Sequence, residues 1–233
     1  MKKKSDNNTF IVVGSKTWNK EVFNAIISRY PGEWHFIADP KDLTMERISK
    51  IHPRSLFFLH WSLKIPQEII DAYECVNFHE TDVPYGRGGS PVQNLITRGH
   101  KETKLSALRM TNEFDAGPVY LKKSLSLFGG AEEIFIRASE LAAKMILEII
   151  TKNLKPKKQE GKVVVFKRRI PEQSEIPDGL NLADAFDFIR MLDAKDYPKA
   201  FIRYKGLRLE FSRAALYDKK IACDVSVTKD ETA

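Results

Sequence analysis

Apolar residues in the first third of the chain form short runs that alternate with amphipathic stretches. The run at 10–14 predicts a buried strand, and apolar residues between 22 and 30 recur at the three- and four-residue spacing of a helix. The run at 55–59 is apolar on both faces, which is typical of a central parallel strand. Strands that alternate with helices in this way predict an α/β fold with a mostly parallel sheet.

The middle of the chain combines strand, loop and helix patterns. A further apolar strand is predicted at 75–79, and a loop rich in glycine and proline follows at 82–91. Loops that follow the strands of an α/β sheet are common places for ligands to bind. Alternating stretches at 104–111 and 118–127 predict two antiparallel strands, and helical spacing over 131–153 predicts a long helix with one buried face.

The segment at 154–161 (LKPKKQEG) is polar and contains proline and glycine, which favours a linker. Beyond it the pattern predicts a strand, a helix and a β-hairpin, at 162–168, 182–192 and 200–212. The predicted organisation is a flexible basic tail, an α/β domain and a small α+β extension, at 1–9, 10–154 and 162–233.

The composition narrows the class of protein. Hydrophobic residues make up 42% of the 233 residues, which excludes a wholly disordered chain. No apolar run approaches the roughly 20 residues of a membrane span and no secretory signal pattern is found, so we expect a cytoplasmic protein. Cys75 and Cys223 are far apart in sequence, which argues against a cysteine-based metal site. The net charge of +7 favours anionic partners, such as nucleic acids, nucleotides and folates.

Three polar residues are candidates for chemistry. Asn77 and His79 are two apart in a predicted strand, so both side chains project from the same face. Histidine is a base that works near neutral pH, and a carboxylate that orients its ring would complete such a set. Asp115, in a turn at 113–118, is the candidate carboxylate. Spacing alone does not separate this arrangement from an ordinary surface histidine.

Three motifs, taken in order, resemble the signature of a known family. They are Asn77-Phe-His79, the loop at 84–93 (PYGRGGSPVQ) and Phe114-Asp115-Ala-Gly-Pro118. Together they are similar to the formyltransferases that use 10-formyltetrahydrofolate, and the resemblance covers residues 10–150 and extends faintly into 185–211. The resemblance implies a Rossmann-like formyltransferase domain and an enzyme that transfers a formyl group from 10-formyltetrahydrofolate to a primary amine. It implies no metal.

The resemblance also implies roles for the three polar residues. Asn77 would hold the formyl oxygen and stabilise the negative charge that develops on it. His79 would take part in proton transfer at the attacking amine, or stabilise the same oxyanion. Asp115 would orient His79, or relay a proton through water.

Two backbone stretches of the family bind the folate. Carried over to this sequence, the cofactor-binding residues are Trp61, Ser62, Leu63, Met110, Thr111 and Asn112. Trp61 is explained almost equally well as a core residue. Arg87 and Gly88 are predicted to bind the acceptor substrate. They lie in the glycine-rich loop, where glycine lets the backbone approach a ligand closely.

The branches of the family differ in the amine that they formylate. A methionyl-tRNA formyltransferase is expected to carry a C-terminal β-barrel that grips tRNA, whereas the segment after 161 predicts only a strand, a helix and a hairpin. The purine-pathway enzyme is expected to have a glycine- and serine-rich phosphate loop, which 14–18 (GSKTW) matches poorly. A deformylase is expected to carry an N-terminal regulatory domain, for which this sequence has no pattern.

The sequence therefore favours a nucleotide-linked amino deoxysugar as the acceptor, for example a UDP- or dTDP-linked sugar, in the synthesis of a surface polysaccharide or glycan. On this prediction nucleic acid is not expected as a partner. Three alternatives stay open: methionyl-tRNA, a carrier-bound aminoacyl substrate, and a catalytically silent relative that binds nucleotide or RNA. A homodimer also stays open, because the hairpin at 200–212 has an edge that is free to pair with a second copy.

Overall fold

The computed structural model describes residues 8–230. The chain forms two compact units whose segments alternate along the sequence. The first consists of Met1–Arg87, Lys104–Leu125 and Phe135–Val165, and the second of Gly88–Thr103, Ser126–Ile134 and Phe166–Ala233. The division into domains at 10–154 and 162–233 stays a prediction, and most of the predicted tail at 1–9 lies outside the described residues.

A six-stranded sheet, in the order β2-β1-β3-β4-β6-β7, forms the framework of the first unit. Its strands are β1 (Thr9–Val13), β2 (Glu33–Ile37), β3 (Ser55–Phe58), β4 (Glu74–His79), β6 (Glu102–Arg109) and β7 (Val119–Ser126). The first four are parallel to one another, whereas β4 pairs with β6 in the antiparallel sense. The predicted α/β fold with a mostly parallel sheet is confirmed.

Three helices connect the parallel strands of this sheet, and a fourth follows β7. They are α1 (Thr17–Ala25), α2 (Met45–Ile51), α3 (Gln67–Ala72) and α5 (Ala131–Lys152). Thr44 caps α2, because its hydroxyl accepts a hydrogen bond from the Arg47 amide. Asn19, at the start of α1, is buried and donates to the Ser139 hydroxyl of α5 at 3.0 Å. Within residues 8–230, no helix is both long enough and apolar enough to cross a membrane.

The core of the first unit lies on the sheet. Strands β1 and β3 are almost completely buried, as their apolar sequences TFIVV and SLFF require. Cys75 of β4 belongs to the same apolar cluster, and burial raises the pKa of its thiol to about 12. The buried framework therefore fixes β4, the strand that carries Asn77 and His79.

The segment after α5 follows the edge of the sheet. Lys157 and Val119 exchange two backbone hydrogen bonds of 2.7 and 2.8 Å, which makes an antiparallel bridge to β7. Two short strands, β5 (Tyr85–Gly88) and β8 (Val164–Phe166), form a separate two-stranded sheet. The residues predicted as a linker are thus held in place by backbone pairing.

The second unit contains α4 (Pro91–Ile96), α6 (Leu182–Arg190) and a three-stranded antiparallel sheet. Asn181 caps α6 by accepting a hydrogen bond from the Asp184 amide. The sheet consists of β9 (Ala200–Tyr204), β10 (Leu207–Leu216) and β11 (Ile221–Lys229), with β10 in the centre. The predicted hairpin and α+β extension are present, and β11 is an additional strand that the sequence analysis did not identify.

Candidate active site

Asn77 and His79 lie on β4, between the parallel strand β3 and the antiparallel strand β6. In the register of the sheet, Asn77 is opposite Phe58 on one side and Leu108 on the other. His79 is the last residue of the strand and is buried. Because residues two apart share a face of the strand, the two side chains project together at its carboxyl end.

Asp115 reaches these residues from the turn between β6 and β7. Its Oδ1 accepts a hydrogen bond from Asn77 Nδ2 at 3.2 Å and lies 3.6 Å from His79 Nδ1. The His79 and Asp115 side chains are only 7% and 12% exposed, so water screens their interaction weakly. The structure brings the three predicted residues together, and their catalytic roles stay a prediction.

The other nitrogen of the His79 ring is held by the loop that follows β4. His79 Nε2 is 2.8 Å from the Gly86 carbonyl oxygen, which also accepts a hydrogen bond from the Thr81 hydroxyl at 3.2 Å. A carbonyl oxygen only accepts, so Nε2 carries the hydrogen of this contact. In the neutral ring, Nδ1 is therefore the nitrogen that accepts a proton, and it faces Asp115.

The backbone of residues 113–118, which we call the aspartate turn, is tightly constrained. Asp115 has a φ of 53°, in the left-handed region. A Cβ atom on Gly117 would lie 1.8 Å from the Arg109 carbonyl oxygen, so only glycine fits there. Gln159 Nε2 also donates to the carbonyl oxygens of Asp115 and Gly117, at 2.7 and 2.8 Å. Gln159 lies in the segment that the sequence predicts as a linker, and its pattern gives no sign of this contact.

Arg87, one of the predicted substrate-binding residues, is largely buried by these neighbours. Its Nε and Nη2 donate to Gln159 Oε1 at 3.1 and 2.9 Å, and its Nη1 is 3.6 Å from Glu113 Oε1. The side chain is 14% exposed. Gly88, the other predicted substrate-binding residue, ends β5 with a φ of 97°. Binding of substrate by Arg87 and Gly88 stays a prediction.

The two stretches predicted to bind folate meet beside the sheet. Trp61 and Met110 both pack against the apolar cluster of the first unit. Gln67, the first residue of α3, donates to the Asn112 side chain and so ties the two stretches together. The remaining predicted folate residues, Ser62, Leu63 and Thr111, are exposed.

Trp61 provides a test of whether a folate fits there. Its indole Nε1 is buried and has no hydrogen-bond partner among the described residues, as is also true of Trp18 and Trp34, although buried indole nitrogens usually have one. Of the three, Trp61 alone lies in a stretch that is predicted to bind folate. A folate carries several nitrogen and oxygen acceptors, so this donor suits such a ligand. The Leu63 side chain is 52% exposed nearby in sequence and offers apolar surface. These residues fit the predicted folate, and their role in binding it stays a prediction.

Glu80 is a buried charged residue that the sequence analysis missed. It follows His79 directly, and its Oε1 is 3.3 Å from His60 Nδ1. Burial would raise the pKa of Glu80, but the hydrogen bond and charge of His60, with the charge of His79, lower that pKa below its usual value. A charged residue at the end of an apolar strand was the available signal.

Within residues 8–230, the histidine, cysteine, aspartate and glutamate side chains do not form a group of three or more that would hold a metal ion.

Comparison with known proteins places this geometry in context. A family model described as the methionyl-tRNA formyltransferase C-terminal domain matches residues 171–228. A methionyl-tRNA formyltransferase of Ehrlichia ruminantium (strain Welgevonden) is 29% identical over 191 residues, which cover 78% of this chain and 61% of that protein. The chain thus spans about three fifths of the length of such curated relatives.

Solved structures show the same relationship. The structure described as methionyl-tRNA formyltransferase from Clostridium thermocellum is 45% identical, with a TM-score of 0.90 over 95% of this chain and 99% of the other. A sugar N-formyltransferase from a Shewanella species is 17% identical, with a TM-score of 0.62 over 91% of this chain and 99% of the other. The second similarity shows the shared fold alone.

These comparisons correct the predicted acceptor. The prediction of a nucleotide-linked amino sugar is wrong, and so is the expectation that nucleic acid is not a partner, because the more similar proteins are methionyl-tRNA formyltransferases. The error arose in the C-terminal segment, where the sequence analysis found a helix and a hairpin and judged them too little for tRNA. The segment also contains β11, and the model of the tRNA enzyme's C-terminal domain covers α6 and most of this sheet.

The motif-based prediction of the family, the fold and the class of enzyme is confirmed by these similarities. Identity of 45% extends over nearly the whole of both chains in the Clostridium thermocellum comparison. The three motif residues that suggested the relationship also lie together at the end of β4. The chain therefore belongs to the formyltransferase family.

Proposed function

We propose that this protein transfers the formyl group of 10-formyltetrahydrofolate to the amino group of methionyl-tRNA. The observation that carries the proposal is the similarity, over almost the full chain, to the Clostridium thermocellum methionyl-tRNA formyltransferase. The match of residues 171–228 to the model of the methionyl-tRNA formyltransferase C-terminal domain also supports it. The net charge of +7 suits a polyanionic acceptor.

In this proposal the folate supplies the formyl carbon, and residues of the chain stabilise its transfer. Trp61 Nε1, which lacks a partner among the described residues, donates a hydrogen bond to the folate. Asn77 donates one amide hydrogen to Asp115, and it donates the other to the oxygen that becomes negative when the amine attacks the formyl carbon. Such a donor acts best where water is excluded, and Asn77 lies beside two largely buried side chains.

His79 accepts the proton that the attacking amine loses, and Asp115 assists it. His79 Nδ1 is the nitrogen that accepts it, since Nε2 is committed to the Gly86 carbonyl oxygen. Asp115, 3.6 Å away, then stabilises the protonated ring through its negative charge. His79 gives this proton to the folate nitrogen as the bond between that nitrogen and the formyl carbon breaks, so that tetrahydrofolate leaves. We place this chemistry in the cytoplasm, where the two free cysteines, Cys75 and Cys223, stay reduced.

The test is a formyl-transfer assay with the full chain. Purified protein and 10-formyltetrahydrofolate are mixed with methionyl-tRNA, and formylmethionyl-tRNA is measured over time. The same tRNA without an amino acid and free methionine serve as matched acceptor controls. We expect transfer to methionyl-tRNA alone, and the His79→Asn variant to be slower by about 100- to 10,000-fold.

Two results would contradict the proposal. One is an absence of transfer to methionyl-tRNA by protein that still binds tetrahydrofolate. The other is a His79→Asn variant that retains the wild-type rate. Circular dichroism and tetrahydrofolate binding of the variant separate a chemical defect from a folding defect.

A further inference from the structure

We propose that Gln159 is a positioning residue that holds the aspartate turn in the geometry needed for formyl transfer. As a statement about catalysis, this inference rests on the proposed function. As a statement about the turn, it rests on the contacts of Gln159 alone. Residue 159 is 44 positions from Asp115 in sequence, so the contact joins two distant parts of the chain.

The amide nitrogen of Gln159 bridges the turn around Asp115. Nε2 donates to the Asp115 carbonyl oxygen at 2.7 Å and to the Gly117 carbonyl oxygen at 2.8 Å. Both distances are those of good hydrogen bonds. Two carbonyl groups that flank Ala116 are thereby fixed to one amide group, which sets the orientation of the backbone between them.

The amide oxygen of Gln159 is held from the other side. Arg87 donates two hydrogen bonds to Gln159 Oε1, from Nε at 3.1 Å and from Nη2 at 2.9 Å. The third nitrogen of the guanidinium, Nη1, lies 3.6 Å from Glu113 Oε1, at the start of the same turn. Arg87 therefore steadies the amide and the turn together.

The partners determine both the amide orientation and the residue type. Carbonyl oxygens only accept and a guanidinium only donates, so Nε2 must face the turn and Oε1 must face Arg87. Glutamate at this position would keep the acceptor for Arg87 but would present oxygen to two carbonyl oxygens. Methionine, which has a similar length, would lose both sets of bonds. Glutamine alone among residues of this length satisfies all four contacts.

The segment that carries Gln159 is itself anchored. Lys157, two residues earlier, exchanges two backbone hydrogen bonds with Val119 at the start of β7. Gln159 thus projects from a backbone that is tied to the sheet, one strand away from β6, which leads into the turn. The turn is fixed at both ends by strands and in its middle by Gln159.

This arrangement matters because the position of Asp115 is exacting. Asp115 has a φ of 53°, a conformation that residues other than glycine adopt infrequently. Its carboxylate must stay within reach of both Asn77 and His79, at 3.2 and 3.6 Å. A displacement of about 1 Å in a reacting group can slow catalysis by about 100-fold.

The experiment compares the full-length wild-type protein with Gln159→Glu, Gln159→Met and a neighbouring control, Glu160→Gln. Glu160 is exposed, and its variant changes a similar side chain in the same segment. Hydrogen exchange is followed by mass spectrometry in peptides that cover the aspartate turn and, as an internal check of folding, β4. Formyl transfer is measured with both substrates varied.

We expect exchange in the aspartate turn to be about tenfold faster in both Gln159 variants, the effect of losing a net hydrogen bond. Exchange in β4 and in Glu160→Gln should match the wild type. In the formyl-transfer assay, kcat should fall by about 100-fold while KM for 10-formyltetrahydrofolate changes by less than about threefold. A merely structural role would not produce this split.

Unchanged exchange in the aspartate turn of both Gln159 variants would overturn the proposal, whatever the enzyme does. Unchanged kcat in these variants, with an active wild type, would also overturn it. If the wild type itself does not formylate methionyl-tRNA, the proposed function fails, and the exchange measurement still decides whether Gln159 holds the turn.

Discussion

The residues of the candidate active site come from two kinds of backbone. Asn77 and His79 lie on β4, which pairs with strands on both sides and rests on a buried core. Asp115 lies in a turn, with a left-handed φ and without a strand at its own position. The three side chains must lie within a few ångströms of one another. Strand pairing positions two of them, and a turn positions the third.

The contrast shows how a turn can position a side chain as precisely as a strand does. Strand residues inherit their direction from the ladder of backbone hydrogen bonds. The aspartate turn instead depends on a glycine that lets Arg109 approach and on the side chain of Gln159. Substitutions of the Asn77 and His79 side chains should therefore slow formyl transfer and leave the backbone of β4 in place. Substitutions around the aspartate turn should instead displace Asp115.

Asn77→Ala tests the strand side and, after His79→Asn, has the largest expected effect in this comparison. Its side chain donates to Asp115, and the backbone pairing of β4 does not depend on it. We expect kcat to fall by about 100- to 1,000-fold, the loss typical of an oxyanion donor. The free energy of unfolding should fall by about 1 kcal/mol.

The measurements are steady-state formyl transfer and urea unfolding. Asn24→Ala, at an exposed position of α1, is the matched control and should leave both quantities unchanged. A wild-type kcat in Asn77→Ala would remove Asn77 from the chemistry. A large loss of stability would show that the strand depends on this side chain.

Gly117→Ala tests the turn side. The added Cβ would lie 1.8 Å from the Arg109 carbonyl oxygen, so the backbone of the aspartate turn must move. We expect kcat to fall by about 100-fold through displacement of Asp115. The free energy of unfolding should fall by about 1–3 kcal/mol from overpacking.

Gly99→Ala is the control for this substitution. Gly99 also has a positive φ, of 77°, but a Cβ there would have open space within 4 Å. Strain alone should cost about 1 kcal/mol, with no effect on kcat. Equal kcat losses in the two variants would show that the close approach to Arg109 does not position Asp115.

The same contrast explains which parts of the molecule could be predicted. The strand at 55–59 and the long helix after 131 were predictable because their apolar spacing reflects the faces that they bury. Asn77 and His79 could be placed together because side-chain direction alternates along a strand. Strand β11 was missed, although Cys223, Val225 and Val227 alternate with polar residues, since most of that strand is exposed.

The supports of the turn were not predictable in this way. Gln159 stands among lysine, proline and glycine residues, a composition typical of linkers, and its partners are carbonyl groups more than 40 positions away. Backbone carbonyls leave no mark on the sequence. The acceptor was mispredicted for a related reason, because an exposed three-stranded sheet carries a weak apolar pattern.

Glu80→Gln has the smallest expected effect on stability, and it tests the buried surroundings at the end of β4. The pKa of Glu80 is lowered in the folded protein, because the hydrogen bond and charge of His60 outweigh the effect of burial. A carboxyl with a lowered folded-state pKa stabilises the fold above its unfolded pKa of about 4.3. That stabilisation is lost as the pH falls through the folded-state value.

The wild type should therefore lose stability steeply below about pH 4, and Glu80→Gln should flatten this dependence at a cost of about 1–2 kcal/mol near neutral pH. Thermal unfolding between pH 3 and 7 measures both effects.

Glu148→Gln is the comparison, because nearby Lys123 and Lys152 lower the pKa of Glu148 to about 2 although a quarter of its side chain is exposed. Salt should screen the Glu148 contribution and leave that of Glu80 intact, since the contact of Glu80 with His60 is largely buried. Equal sensitivity of the two variants to salt would mean that water reaches Glu80. The end of β4 would then lack the buried contact that distinguishes it from the aspartate turn.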